Sequence, residues 1–283
     1  MVKISMKVGN EMEILIDTMK DTYLMIPILF IMYLYLEFIE HKNENKKFDK
    51  YLSQYGPFLG AILGIIPQCG FGVVAGLLFI ENKITLGTLI SVFIATSDEA
   101  IPLFLTQPAM YSSLLYLILI KLVIAMIAGY IIDLIFKKEY YNHTHEQFNH
   151  SHEHSIFIEA ISRTLKIYSF IFIVHFGLSL IIENLGPDRL SLILMNDSIL
   201  QPIISSLFGF IPNCASSVIL TQLYMNQALS FASLLAGLIT NAGVGILALV
   251  QNKVKPQVIL KICLILFTIA LLVCLPLQWF HLL

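Results

Sequence analysis

Apolar positions along the chain gather into long runs separated by short polar connections. A bilayer core of about 30 Å takes about 20 helical residues, because a spanning backbone must satisfy its own hydrogen bonds. Eight runs match that length: 22–40, 57–80, 84–106, 112–136, 165–183, 199–225, 229–250 and 257–281. Two connections are longer than the rest, His41–Tyr55 and Lys137–Ser155, and the second holds five of the eight histidines. Residues 4–21 are interrupted by Lys7, Glu11, Glu13, Asp17, Lys20 and Asp21 and read as an interfacial lead-in. The pattern predicts an all-α polytopic membrane protein.

The runs repeat. GIIPQCG, ending at Gly70, returns 145 positions later as GFIPNCA, ending at Ala215. At the same offset ATSDEAI around Asp98 aligns with TNAGVGI around Gly243, and Lys121 in LIKL answers Lys261 in LKIC after a small gap. The headers ILIDTMKDT and IFIEAISRT also match. The expected organisation is a first transmembrane repeat over 1–136, a His-rich linker over 137–155 and a second repeat over 156–283, each repeat of four spans. Eight full spans would set the two units in the same orientation. Inverted repeats need an odd number per unit, which a re-entrant piece among the eight would supply, so the count reaches ten if re-entrant pieces are included.

Composition agrees: 57% of residues are hydrophobic, 13% are charged and the mean hydropathy is +0.81. Of 36 charged residues, 15 lie in 1–50 and only six between Tyr51 and Phe136. A soluble enzyme and a secreted disulfide scaffold are excluded, and a net charge of −2 offers no basic surface to a nucleic acid. The four cysteines sit in apolar runs, no cleavable leader is expected, and no phosphate-binding G-x-x-x-x-G-K-[ST] is present, so energy would come from a gradient. Under eight-span alternation the Lys and Arg outside the spans divide seven to seven, which leaves orientation open.

Candidate chemistry lies inside the runs. Pro67 and Pro212 each remove a backbone donor and break or kink a helix. Beside them stand an amide and a thiol, Gln68-Cys69 and Asn213-Cys214. Thr96-Ser97-Asp98-Glu99 places two carboxylates within a span, where each costs at least about 2.5–3.5 kcal/mol and so implies a partner or a function. Its repeat partner, Thr240-Asn241-Ala242-Gly243, keeps an amide and no charge. These oxygens suit a hard divalent cation such as Mn²⁺ or Mg²⁺, while the thiols shift preference toward Zn²⁺, Cd²⁺ or trivalent arsenic. Lys121, near mid-depth, is a candidate to pair with Asp98 or Glu99 when the site is empty and to couple binding to protonation. Lys261, a second candidate coupling residue, could snorkel to the interface. Glu37, Asp133 and Glu183 lie near span ends and are expected to be solvated, and His175 to be a packing residue. In the linker, His143, His145, His150, His152 and His154 form a metal-attracting tract, an accessory collector or sensor rather than the transport site.

The segments GIIPQCGFGVVAG, TLGTLISVFIATSDEAIPL, IPNCASSVILTQLY and LLAGLITNAGVGILAL together resemble a family of ten-transmembrane heavy-metal exporters, whose members also carry the labels of manganese transporters and, in some cases, arsenic efflux proteins. The resemblance runs from about Ile14 to the last span. It implies a multi-pass protein of the prokaryotic inner (plasma) membrane, with Gln68, Cys69, Asp98, Glu99, Asn213, Cys214 and Asn241 at motif positions. The expected function is secondary-active export of a divalent heavy metal, manganese first, with protons as a possible coupling ion. No cofactor is expected beyond the metal as substrate, no nucleic acid binds, and an oligomer is possible. The alternatives are an arsenite or metalloid permease, a membrane-embedded metal-dependent enzyme, which the lack of an H-E-x-x-H set disfavours, and a metal sensor on a transporter fold.

Overall fold

The computed structural model describes residues 46–66, 70–96, 100–136, 156–185 and 200–279 continuously, with scattered positions between 12 and 34. Every regular element in these segments is helical. In chain order they are α1 (Lys46–Gly64), α2 (Gly70–Ile80), α3 (Leu86–Ala95), α4 (Ala100–Leu105), α5 (Tyr111–Ile135), α6 (Ile156–Leu185), α7 (Gln201–Gly209), α8 (Cys214–Met225), α9 (Phe231–Thr240), α10 (Gly245–Gln251) and α11 (Pro256–Trp279). Among the described residues four stretches are long and apolar enough to cross a membrane: Leu86–Leu105, Pro108–Ile135, Phe231–Gln251 and Pro256–Trp279. Two of these, α3–α4 and α9–α10, are interrupted midway.

The expected spans 57–80 and 199–225 do not cross. Gly56, Gly60 and Gly64 recur every fourth residue and let α1 lie directly on α3, with the Gly56 Cα hydrogen facing Thr88 and that of Gly64 facing Val92 and Ala95. Helices α1 and α3 therefore run in the same direction, from one end of the bundle (end I) to the middle. Ser91 Oγ donates to the Pro57 carbonyl at 2.6 Å and fixes this register. After the break α2 must return to the start of α3. The turn is tight: Asn82 takes φ 56 and the Lys83 amide donates to Leu78 O at 2.8 Å. Five extended residues reach at most about 18 Å, far short of a bilayer, so α2 goes back to end I. Helices α1 and α2 form a re-entrant hairpin that turns between Gly64 and Gly70.

The same reasoning applies to α7 and α8. The Cα of Gly209 faces Gly237 and Thr240, Thr240 Oγ1 donates to Ser206 O at 2.7 Å, and Gln201 Oε1 accepts from the Ser230 amide at 3.1 Å. Helix α7 thus runs alongside α9, and α8 returns through a turn with Gln227 at φ 60 and the Ala228 amide donating to Leu223 O at 2.8 Å. This second hairpin enters from end II. Tyr224, at the end of α8, packs on Phe104 of α4 and Phe231 of α9, with ring centroids 5.8 and 5.9 Å apart, and its hydroxyl donates to Ser113 Oγ. So α3–α4 runs from end I to end II. In the opposite direction, Gly72 lies against Gly245 and Gly76 against Ala248, so α10 runs beside α2 toward end I.

The long helices follow. Asp133 near the end of α5 accepts from Thr85 Oγ1 at 2.8 Å and from the Gly87 amide at 2.9 Å, which places the end of α5 at end I. Asp133 is buried and caps α3; it is not solvated as a span-end carboxylate would be, because the exposed first-turn amides of α3 need an acceptor. At end II, Ser230 Oγ donates to Gln278 Oε1 at 2.6 Å, where α11 finishes beside the start of α9. Ile167 and Ile171 of α6 pack with Val73 and Leu77 of α2 and with Val244 and Leu247. The remaining residues of α6, 172–185, extend about 20 Å beyond this cluster. Of the span 22–40, Leu29 packs into this same cluster, and most of the rest, like the lead-in 4–21, lies outside the described residues.

A Cβ on Gly129 would stand 2.7 Å from Pro57 Cβ and 2.9 Å from Gly87 O, whereas nothing lies within 4 Å of the position at Gly177. Gly129→Ala is expected to lower unfolding stability in detergent by about 1–3 kcal/mol through overpacking, and Gly177→Ala to leave it near wild type. Equal thermal midpoints for the two variants would contradict this packing of α1, α3 and α5.

Candidate functional site

Four helices stop in the middle of the bundle and four start there. The carboxyl ends of α3 and α9 approach each other, and the buried face of α5 passes between them with Leu117, Lys121, Ala125 and Ile132. Lys121 is 1% exposed. Its ammonium donates to the Thr96 carbonyl at the end of α3 and, at 3.2 Å, to Leu238 O in the last turn of α9. Carbonyls at a helix end lack intrahelical donors and carry the negative end of the dipole, so a cation is the natural cap. This explains why a charge is tolerated at a depth where it costs about 2.5–3.5 kcal/mol.

The amides of the sequence motif also serve the breaks. Asn213 is fully buried and caps α8, its Oδ1 accepting from the Ala215 amide at 2.9 Å. Ser216 Oγ donates back to Asn213 O at 2.6 Å. Asn241 ends α9, its amide donating to Gly237 O at 3.0 Å and its Oδ1 accepting from the Gly243 amide at 3.1 Å. Gly243, at φ 52, takes a left-handed turn that a side chain would strain. Thr96 Oγ1 donates to Val92 O at 2.8 Å, the ordinary back-bond of a threonine at a helix end.

The two breaks are crossed by the hairpins in exchange. The first turn of α2 lies at the α9–α10 break, with the Cβ position of Gly72 3.7 Å from Ala242 O. Helix α8 lies against α4, beyond the α3–α4 break. Thr96, Lys121 and the end of α9 leading to Asn241 thus form one buried centre. Pro67, Gln68, Cys69, Ser97, Asp98 and Glu99 lie outside the described residues, as do the linker residues His143, His145, His150, His152 and His154. Pro212 is half-buried at the second tip, and Cys214 opens α8 with its side chain outside the description, as is that of His175. Among the described residues no three His, Cys, Asp or Glu side chains converge as a metal cluster would.

Two features were not anticipated. Lys261 does not occupy the place of Lys121: its ammonium lies 4.0 Å from the centroid of Phe136 at end I, and Leu266, fully buried, holds the corresponding position on α11. The sequence clue was available, since Leu117, Lys121 and Ala125 stand 145 residues before Ile262, Leu266 and Ala270 with no gap. The second is a polar lock at end II, where Gln201, 1% exposed, holds Ser230, Ser233 and the Ala228 carbonyl together. Thr85 and Asp133 at end I anticipate Ser230 and Gln278 at that same offset.

An all-α bundle with spans interrupted around a buried lysine defines a polytopic membrane protein. Residues 10–185 match the family described as "Putative, 10TM heavy-metal exporter", and the chain belongs to that family. Counting each hairpin arm separately, with the run 22–40, gives ten apolar segments. The match ends at residue 185, so α7–α11 lie beyond it. No curated protein and no solved structure shows significant similarity to the chain.

Lys121→Met removes both ammonium bonds to the helix ends. Backbone amides at the breaks, including Asn241 and Gly243, are expected to exchange with deuterium about tenfold faster, equivalent to about 1.4 kcal/mol of local opening, with the starts of α3 and α9 unaffected. Unchanged exchange at the breaks would contradict the capping role.

Proposed function

We propose that the protein is a secondary-active exporter of a divalent heavy-metal cation, manganese first, in a prokaryotic plasma membrane. The observation that carries this reading is the convergence of interrupted helices at a buried centre in a member of a heavy-metal exporter family. Non-helical backbone persists at bilayer depth where it lines a cavity, and such breaks supply carbonyls to ions. Asp98 and Glu99 stand two and three residues after Thr96, between the end of α3 and the start of α4, so the acidic pair belongs to the α3–α4 break. In this reading they supply charge, Gln68, Asn213 and Asn241 supply neutral oxygens, Ser97 and Thr96 line the approach, and Cys69 and Cys214 tune the choice of metal. Lys121 is the coupling residue, able to trade a helix-end carbonyl for a carboxylate as the ion comes and goes. Lys261 is at most an auxiliary at end I. The five linker histidines collect metal without forming the transport site.

The centre is proposed to lie between two duplicated halves in inverted orientation. Support comes from matched pairs at an offset of 145: the turns at Asn82 and Gln227, the caps Thr85–Asp133 and Ser230–Gln278, and the glycines Gly64 and Gly209 facing α3 and α9. One half enters its hairpin from end I and the other from end II, the arrangement on which alternating access is commonly built. The charges stay on one side of this symmetry, since Asp98, Glu99 and Lys121 correspond to Gly243, Val244 and Leu266.

A second reading, a permease for arsenite or another metalloid, is favoured by the thiols at both hairpin tips. Proteoliposome flux separates the two. Saturable Mn²⁺ flux that falls at least tenfold in Asp98→Asn and survives Cys69→Ser with Cys214→Ser is the expected result. Arsenite flux lost with the thiols and indifferent to Asp98→Asn would replace the first reading by the second.

A further inference from the structure

Because both hairpins return to the end they entered, the connections sort differently from an eight-span alternation. End I gathers the segments 41–55, 81–85, 137–155 and 252–256, which join the start of α1, the α2–α3 turn, the α5–α6 link and the α10–α11 turn. End II gathers 106–110, 186–200, 226–230 and 280–283. The first set carries nine lysines, and the second carries Arg189, to which a crossing run 22–40 adds Lys3, Lys7 and Lys20 of the preceding segment, so the division is nine against four. An even division becomes a bias toward end I once the hairpins are recognised. The bias also has a structural basis. Helix α1 begins about 15 Å before Gly56, which is level with the start of α3, so Lys46, Lys47 and Lys50 stand beyond the apolar slab. Lys83 and Lys253 sit in turns, and Lys253 and Lys255 are exposed.

We infer that end I faces the cytoplasm, its lysines lying against the anionic headgroups of the inner leaflet, and that end II faces outward. Lys and Arg in short loops resist translocation, and anionic lipid on the cytoplasmic leaflet attracts basic juxtamembrane segments. The first hairpin then enters from the cytoplasm and the second from outside. The link 137–155 follows α5, whose last turn lies at end I, so its histidines would lie on the side from which an exporter loads. This last consequence rests on the export reading, whereas the orientation rests on fold and charge alone.

The test places single cysteines in full-length protein whose four native cysteines are replaced by serine. Asn226→Cys is exposed at end II, and Gln257→Cys is exposed in the first turn of α11 at end I. On intact cells a membrane-impermeant maleimide is expected to label Asn226→Cys at once and Gln257→Cys only after lysis. In case a cysteine variant fails to insert, an epitope placed within 143–154 of the otherwise native protein gives a second readout and is expected to be hidden from antibody until cells are opened. Labelling of Gln257→Cys or detection of the epitope on intact cells overturns the inference, as does failure to label inserted Asn226→Cys from outside. None of these outcomes depends on metal transport, so loss of the manganese reading leaves the orientation standing or falling by itself.

Discussion

Four helices end inside this bundle, and hydrocarbon has nothing to offer their last carbonyls. That constraint organises the centre. Lys121 answers it for α3 and α9 together by donating to Thr96 O and Leu238 O, while Asn213 and Asn241 accept from the free amides of Ala215 and Gly243 beside the breaks. A neutral residue on α5 would leave both ends uncapped, and a lone ammonium without those carbonyls could not be buried. Each side of the bargain requires the other, as is usual for polar groups taken out of water. The matching position on α11 is Leu266, so this single cation serves both breaks from one side.

Around that centre the hairpins exchange partners. Helix α2 starts beside α10, and α8 lies beside α4, so each hairpin meets the break in the span that the other hairpin lies along. Glycines make the approach possible: α1 lies on α3 along Gly56, Gly60 and Gly64, and α2 lies on α10 along Gly72 and Gly76. Such seams have little side-chain interdigitation, which lowers the cost of sliding one element along another. Capped ends keep the centre dry of lipid while the surrounding elements remain separable, a combination suited to moving an ion.

Much of this was legible in the sequence. The eight apolar runs, the all-helical class and the interruptions at Pro212 and after Thr96 follow from run length, proline and buried carboxylates. What local reading could not supply was direction. A run such as 57–80 has the length of a span whether it crosses or folds back, and the choice is made by the glycine stripe pressing α1 onto α3 and by the five-residue turn that ties α2 to the start of α3. Lys121 was legible as an important cation, but its ammonium donates to main-chain carbonyls, which no side-chain pattern reveals. Asp133 misled for a related reason: proximity to a span end suggests water, while Thr85 and the Gly87 amide from a helix 46 residues earlier claim it first.

The exchange of partners between hairpin and broken span is the claim on which the rest depends, and one disulfide tests it. The Cβ position of Gly76 lies 3.7 Å from Ala248 Cβ, within the span a disulfide bridges. In protein lacking native cysteines, Gly76→Cys with Ala248→Cys should oxidise readily, and after proteolytic cleavage within 137–155 the two fragments should migrate together until reduced. Fragments that separate without reductant, in protein that is inserted and fully oxidised at control sites, would show that α2 does not return beside α10, and the account of the centre would be wrong.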